Sequence, residues 1–209
     1  MLAMKVEPVV LEGQFVRLDP LTLAHHADLC AVGLDPELWR WTTSVVGTPD
    51  QMRAYIEEAL RGQAAGTALP FATVEKTAGR VVGSTRFASL DRRHRRAEIG
   101  WTWIGRPWQR TAVNTEAKYL MLRHAFETWG CIRVELKTDV LNEASRRAIL
   151  RLGASEEGIL RQHMITDTGR MRDTVYYSII DTEWAAVKAA LERRLAFPAA
   201  GFDREDPSR

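Results

Sequence analysis

The sequence predicts a mixed α/β (α+β) domain: a mostly antiparallel central sheet with helices on both faces. Three observations predict it. Between 71 and 104, three stretches of apolar alternation with period two follow one another across short turns, as adjacent antiparallel strands do. From 97 to 140 the order is strand, helix, strand, and a helical crossover within one sheet makes its two strands parallel. From about 158 to 180 a further hairpin pattern completes the sheet.

Each element has its own grounds. Residues 11–18 (LEGQFVRL) alternate in part and predict a first strand. Residues 21–32 predict a helix with Thr22 as its cap, and Asp35-Pro36 a turn before Trp39 and Trp41. Thr48-Pro49-Asp50 opens a second helix with Met52, Tyr55, Ile56, Ala59 and Leu60 at helical spacing; Gly62 and Gly66 end it. Strands are expected at 71–75, 80–90 and 97–104. In the last of these Ile99, Trp101 and Trp103 should share one face, and Glu98, Gly100, Thr102 and Ile104 the other. A loop at 105–114 leads to a helix from Thr115, whose stripe of Ala117, Leu120, Met121, His124, Ala125 and Thr128 stops at Gly130. Ile132, Val134, Leu136, Thr138 and Val140 alternate with charged residues as a strand, and Asn142 caps a helix that stops at Gly153. Strands at about 158–166 and 172–180 are joined at 167–169. Asp181-Thr182-Glu183 starts a last helix with Trp184, Val187 and Leu191 on one side. A single domain over 1–197 is expected, with a disordered polar tail at 198–209.

Composition bounds the function. The chain has 209 residues, 45% of them hydrophobic and 27% charged, with a net charge of +2. That is enough chain to bury about 70% of its unfolded surface without metal or disulfide staples, and it excludes global disorder. No apolar run reaches the roughly 18–20 residues of a membrane span. The opening MLAMKVEPVV has neither a cationic nor an apolar leader region, so a cytoplasmic protein is expected. Cys30 and Cys131 stand apart beside aliphatic residues, as buried thiols do. Arg92-Arg93-His94-Arg95-Arg96 could meet an acidic partner, but reads first as a solvated turn; no nucleic-acid partner is expected. His25-His26 are adjacent and diverge, and the other histidines lack ligand spacing, so no metal is expected. His124, on an apolar helix face, reads as a core or interface residue.

Two stretches carry chemistry. The loop Gln109-Arg110-Thr111-Ala112-Val113-Asn114-Thr115-Glu116 has small residues, one cation and a helix cap in Asn114 or Thr115. A loop feeding a helix start offers unpaired backbone N–H groups and the positive end of the dipole, suited to a pyrophosphate. Taken alone the loop is equally a solvated helix start. Asn142-Glu143-Ala144-Ser145 lies at the C-terminal end of the next strand, where ligands of sheets with parallel strands gather; read alone, it is a helix cap with an exposed serine.

With the element order, these motifs resemble the GNAT N-acetyltransferase superfamily, in its RimJ/RimL-type branch, over about 11–191. Gln109, Ala112 and Asn114 stand in the positions of a [Q/R]-x-x-G-x-[G/A] loop, with Ala and Asn replacing small glycine-type residues. Glu98-Ile99-Gly100-Trp101, Thr115-Glu116-Ala117, Asn142-x-x-Ser145 and Arg172-Asp173-Thr174 add to the likeness. The resemblance implies a GNAT fold with a splayed parallel strand pair, binding of acetyl-CoA, and N-acetyl transfer by direct attack of an amine on the thioester. It implies cofactor contacts from Trp103, Ile104, Gln109, Arg110, Thr111, Ala112, Val113, Asn114, Thr115, Asn142 and Arg146. Ser145 would supply the proton or hydrogen bond to the leaving thiolate. Glu98 is the first choice of base, with Asp139 and Glu135 as alternatives; a salt bridge from Glu98 to an arginine of 92–96 is the competing structural role. The acceptor is a protein N-terminal amine or a small-molecule amine, and Arg161, Arg170 and Arg172 suit an acidic one. Trp39, Trp41 and Trp101 line a groove or fill the core. A homodimer through a sheet edge is compatible with the pattern. Two other readings stay open: a CoA-binding module without turnover, and a nucleic-acid binder acting through 92–96.

Overall fold

A computed structural model of the chain describes residues 4–196; the expected tail at 198–209 lies outside the described residues. One sheet organises the molecule. Its eight strands are β1 (Leu11–Glu12), β2 (Val16–Pro20), β3 (Leu69–Glu75), β4 (Arg80–Asp91), β5 (Arg96–Ile104), β6 (Arg133–Asp139), β7 (Ser155–Ile165) and β8 (Met171–Ile180). They lie in the order β1-β2-β3-β4-β5-β6-β8-β7. Every pairing is antiparallel except β5 with β6, as the helical crossover between them requires.

The helices are α1 (His26–Gly33), α2 (Pro49–Ala64), α3 (Ala112–Arg123), α4 (Glu143–Leu150) and α5 (Asp181–Ala196). One sheet face carries the larger core, where Leu120, Met121, Ala125, Trp129, Trp184 and Leu191 meet Phe71, Phe87, Val134 and Val175. The other face carries Leu29, Trp39, Met52, Ile56 and Trp103 beneath α1 and α2. Trp39 belongs to this core: its ring packs 5.3 Å from Tyr55 and 5.4 Å from Trp103, and its Nε1 donates to the Gly33 carbonyl at 2.7 Å. Trp41 and Trp101 stay half-buried. His124 packs against Phe87 and Trp129, and burial lowers its pKa. Both cysteines are free thiols, and burial pushes Cys131 up to about 11.

Five expectations need correction. The first strand is two, β1 and β2, broken by a turn at 13–15. There the Glu116 carboxylate accepts from the backbone N–H of Gln14, Phe15 and Val16 at 2.8, 2.6 and 2.7 Å. A Cβ on Gly13 would lie 2.4 Å from that carboxyl carbon, so only glycine fits. The helix expected from Leu21 begins as a single tight turn, Leu23–His25, before α1. Gly62 lies inside α2, which ends only as Gly66 takes a φ of +69°. Helix α3 begins at Ala112, and its cap is Thr111, whose Oγ1 accepts from the N–H of Val113 at 3.3 Å. Neither Asn114 nor Thr115 caps it.

The fifth correction concerns β5. Trp101 takes a φ of +47°, and the register with β4 shifts between the Ser84 and Arg86 positions. One inserted residue reverses the alternation beyond it. Ile99 therefore joins the larger core with Ile104, while Trp103 joins the layer of α1 and α2, opposite to Ile99.

Candidate active site

The parallel contact between β5 and β6 lasts for three registers only: Arg96 with Arg133, Ala97 with Val134, Glu98 with Glu135. Beyond Glu98 the two strands part. The stretch 99–104 keeps its β4 partner on one side and has no strand on the other. An open edge of this kind accepts an extended, amide-bearing chain as a strand would. The splay expected from the resemblance is present, and the bulge at Trp101 lies within it.

Helix α3 begins just after this open stretch. The chain leaves β5 through the turn Arg106–Trp108, and the Gln109 amide returns to donate to the Ile104 carbonyl at 2.9 Å. Arg110 is exposed with a φ of +60°. The hydroxyl of Thr111 donates to the Trp108 carbonyl at 2.7 Å. Ala112 is the first residue of α3, in a position whose backbone alanine adopts without strain. The first N–H groups of the helix, from Ala112 to Thr115, lack partners within it. The Asn114 Oδ1 is buried and has no hydrogen-bond partner. Small residues, the first-turn amides other than that of Val113, which the Thr111 cap holds, and an exposed cation together fit a pyrophosphate.

Across the gap, Asn142 caps α4, its Oδ1 accepting from the Ser145 N–H at 3.1 Å. That occupies the carbonyl oxygen and leaves the NH2 to donate. Ser145 is half-buried in the first turn of α4. Arg146 turns elsewhere: its Nε donates to the Tyr177 hydroxyl at 3.2 Å, and Nη1 and Nη2 to the Val140 carbonyl and Glu156 at 3.4 Å each.

The three carboxylates weighed as bases differ sharply. Glu135 is bound by Arg133 at 2.8 Å and lies 3.6 Å from Arg96. Asp139 is fully buried, accepts from the Leu141 N–H at 2.9 Å and is ion-paired to Arg170. Glu98 receives the Ser89 hydroxyl and the Lys137 ammonium on Oε2, both at 3.0 Å, while its buried Oε1 has no partner. Its ion-pair partner is thus Lys137, not an arginine of 92–96. Trp101 lies between two cations, Arg86 at 5.0 Å and Lys137 at 5.8 Å from its ring centre. From the side of α2, the Tyr55 hydroxyl donates to the Trp101 carbonyl at 3.2 Å, pinning the bulge.

Sequence reasoning missed Lys118. It lies on α3 against β4 and β5, and its Nζ donates to Thr85 Oγ1 at 3.1 Å and to Thr102 Oγ1. The Thr102 hydroxyl reaches the Gly100 carbonyl at 3.3 Å, so the bulge is held from this face too. Burial alone, with no carboxylate beside it, lowers the Lys118 pKa to about 7. A lysine at the i+1 position of an apolar helical stripe was the available signal; it reads as solvent-facing unless both sides of the helix are covered.

Comparison with known proteins follows from this geometry. The sequence profile of the acetyltransferase (GNAT) domain matches residues 16–155. The chain is 36% identical over 100 residues to the N-acetyltransferase YoaA of Bacillus subtilis (strain 168), itself uncharacterized, covering 48% of this chain and 55% of YoaA. It thus spans little more than half the length of the curated relatives it matches. A crystal structure of a GCN5-related N-acetyltransferase from Brucella melitensis superposes with a TM-score of 0.84 at 32% identity, over 90% of this chain and 86% of that one. Mycobacterium smegmatis RimJ, in complex with CoA-disulfide, shares the fold with a TM-score of 0.75 at 23% identity, over 90% and 91% of the two chains. Among the described residues no helix is long and apolar enough to cross a membrane.

Proposed function

The chain belongs to the GNAT acetyltransferase family, an N-acetyltransferase by its relatives, and from that premise we propose that it moves the acetyl group of acetyl-CoA to a primary amine. We place it in the RimJ/RimL-type branch, on the motifs 98–101, 115–117 and 172–174. The observation that carries the reading is the unpaired stretch 99–104 of β5, with the start of α3 directly behind it. Bound acetyl-CoA supplies the thioester that the amine attacks.

The residues of the chain take the remaining tasks. Backbone groups of Trp103 and Ile104 pair with the extended pantetheine arm. The amides of 110–115 and the Arg110 guanidinium hold the pyrophosphate. The Asn142 NH2 donates to a pantetheine carbonyl. A backbone N–H near Trp103 or Ile104, held rigid by the two-sided pinning of the bulge, stabilises the developing oxyanion. Glu98, through its free Oε1 or a water, would take a proton from the acceptor's ammonium, and the neutral amine that results would attack the thioester. As the new C–N bond forms and the C–S bond breaks, the Ser145 hydroxyl would hydrogen-bond the departing thiolate, or pass it a proton while regaining one, through water, from the newly acylated nitrogen. Arg146 is committed to Tyr177 and Glu156, and acts on the cofactor only by keeping α4 against β8.

Calorimetric titration with acetyl-CoA, with CoA alongside, tests the reading. Saturable binding followed by acceptor-dependent thiol release supports it. Absence of binding at millimolar ligand overturns it.

A further inference from the structure

Three arginines near the end of the chain suit an anionic acceptor, and the structure separates them. Arg161 stands exposed on β7, the outermost strand. Arg170 is spent: it pairs with Asp139 and lies 5.7 Å over the Trp41 ring. Arg172 is different. Only 6% of it is exposed, its Nε is buried without a partner, and among the described residues its guanidinium makes no ion pair.

Its surroundings point to what is missing. On β8, Arg172 and Thr174 alternate with Val175, Tyr177 and Ile179 of the larger core, so they face the other side of the sheet. Asp139, opposite Thr174 on β6, shares that side, and so do Lys137, opposite Tyr176, and Glu98, opposite Glu135. Burial pushes the Arg172 pKa down and the Arg170 charge adds to the fall, while Asp139, Glu98 and Tyr176 act against it from a distance without pairing with the guanidinium. Asp139 is already taken by Arg170 and the Leu141 N–H. The Thr174 hydroxyl is fully buried and also lacks a partner. Glu98, 2% exposed, keeps Oε1 free. The segment 41–45 closes over one end of this face, the Asp167 N–H donating to the Thr43 carbonyl at 2.9 Å and the Val45 N–H to Asp167 at 3.2 Å.

A buried guanidinium without an anion is costly, and native folds rarely keep one unless a partner arrives. The partner that fits its planar fork is a carboxylate. The unpartnered Oε1 of Glu98, whose Oε2 is held by Lys137 and Ser89, lacks a hydrogen-bond donor, and an ammonium can supply one. We propose that the acceptor is a small zwitterionic amine of the amino-acid type, its carboxylate held by Arg172 and Thr174 and its ammonium received by Glu98. This rests on the acetyl-transfer reading above. An ordinary protein N-terminus carries no carboxylate beside its amine and would leave Arg172 buried and unpaired.

The test uses the full chain with acetyl-CoA and three groups of acceptors: free amino acids, their carboxamides, and short peptides, including peptides that begin with Asp or Glu. At least one free amino acid should exceed its own carboxamide by tenfold or more in kcat/KM, because a site built to bind a polar group rejects the analogue that lacks it. Arg172→Met should raise KM for that amino acid at least tenfold, leave the carboxamide unchanged, and leave the acetyl-CoA Kd within threefold. Arg172→Lys should recover part of the loss. Thr174→Val, close in shape, should show a smaller loss of the same kind and guards against misfolding of the arginine variants. Acetyl-CoA binding with equal use of amino acid and carboxamide overturns the proposal alone. So does preference for the acidic peptides, or an equal loss on both small acceptors in Arg172→Met. No acetyl-CoA binding at all brings down the transfer reading, and this proposal with it.

Discussion

Replacing Lys118 by methionine should make the protein more stable below neutral pH and less stable at high pH. The Lys118 side chain is buried, and burial alone holds its pKa at about 7 rather than the ordinary lysine value. The unfolded chain therefore binds one more proton than the folded chain between about pH 7 and pH 10.5. Stability of the wild type must rise with pH across that window. Below pH 7 the full cost of burying the charge is present, about 4–5 kcal/mol at 1.36 kcal/mol per pH unit. Methionine removes that cost and also removes the hydrogen bonds to Thr85 and Thr102, together worth about 1–3 kcal/mol. The net expectation is a gain of about 1–4 kcal/mol near pH 6; near pH 10, where about 1 kcal/mol of the burial cost remains, it is a loss of up to about 2 kcal/mol. Urea unfolding of both proteins at a series of pH values measures it, because the midpoint difference should change sign. A difference that stays constant from pH 6 to pH 10 refutes the reasoning: Lys118 would then titrate in the fold as it does in the unfolded chain.

Three further outcomes follow from the same geometry. Ser145→Ala should lower kcat by about 10–100-fold while leaving the acetyl-CoA Kd within twofold, read by thiol release and calorimetry; equal turnover would remove Ser145 from the chemistry. Glu116→Ala strands three N–H groups at 14–16, so urea unfolding should show a loss of about 3–5 kcal/mol. Ala112→Asp puts a negative charge at the first position of α3, where a pyrophosphate is to sit. It should weaken acetyl-CoA at least about tenfold in calorimetry, although the same charge favours the helix itself.

The sequence made the element order legible because most elements rest on local signals: the alternation at 71–104, the Thr48-Pro49 helix start, the Asn142 cap and the Gly153 stop. The misses have a common cause. The bulge at Trp101 adds one residue to a strand, and counting by twos carries the wrong face past it; nothing local distinguishes Trp101 from its neighbours. The pattern puts the start of α3 late because Thr111, Asn114 and Thr115 are all competent caps, and only the path of the preceding turn chooses among them. Glu116 and Lys118 read as the polar residues of an amphipathic helix. Their burial follows from contacts with 14–16 and with Thr85, distant in sequence. At the site, motif spacing placed the start of α3 after β5, and Asn142 and Ser145 after β6, the two strands that part. It could not show which of Glu98, Glu135 and Asp139 keeps a free oxygen, nor which of Arg161, Arg170 and Arg172 lacks an anion, because those depend on partners from other strands and from the turn before β8.

The three-register contact between β5 and β6 has a mechanical consequence. The eight strands form two panels, β1 to β5 and β6 to β8 with β7 at the rim, sewn together along one short seam. Further attachment between the panels comes from side chains in the larger core, from the ion pairs Glu98–Lys137 and Arg96–Glu135, and from the bonds of Asp167 to Thr43 and Val45. Amide exchange should therefore be quickest to reveal loosening along 96–98 and 133–135, and slow in the interior of each panel. A ligand lying in the gap as a surrogate strand would lengthen the seam, so that protection on both of its banks becomes a gauge of occupancy.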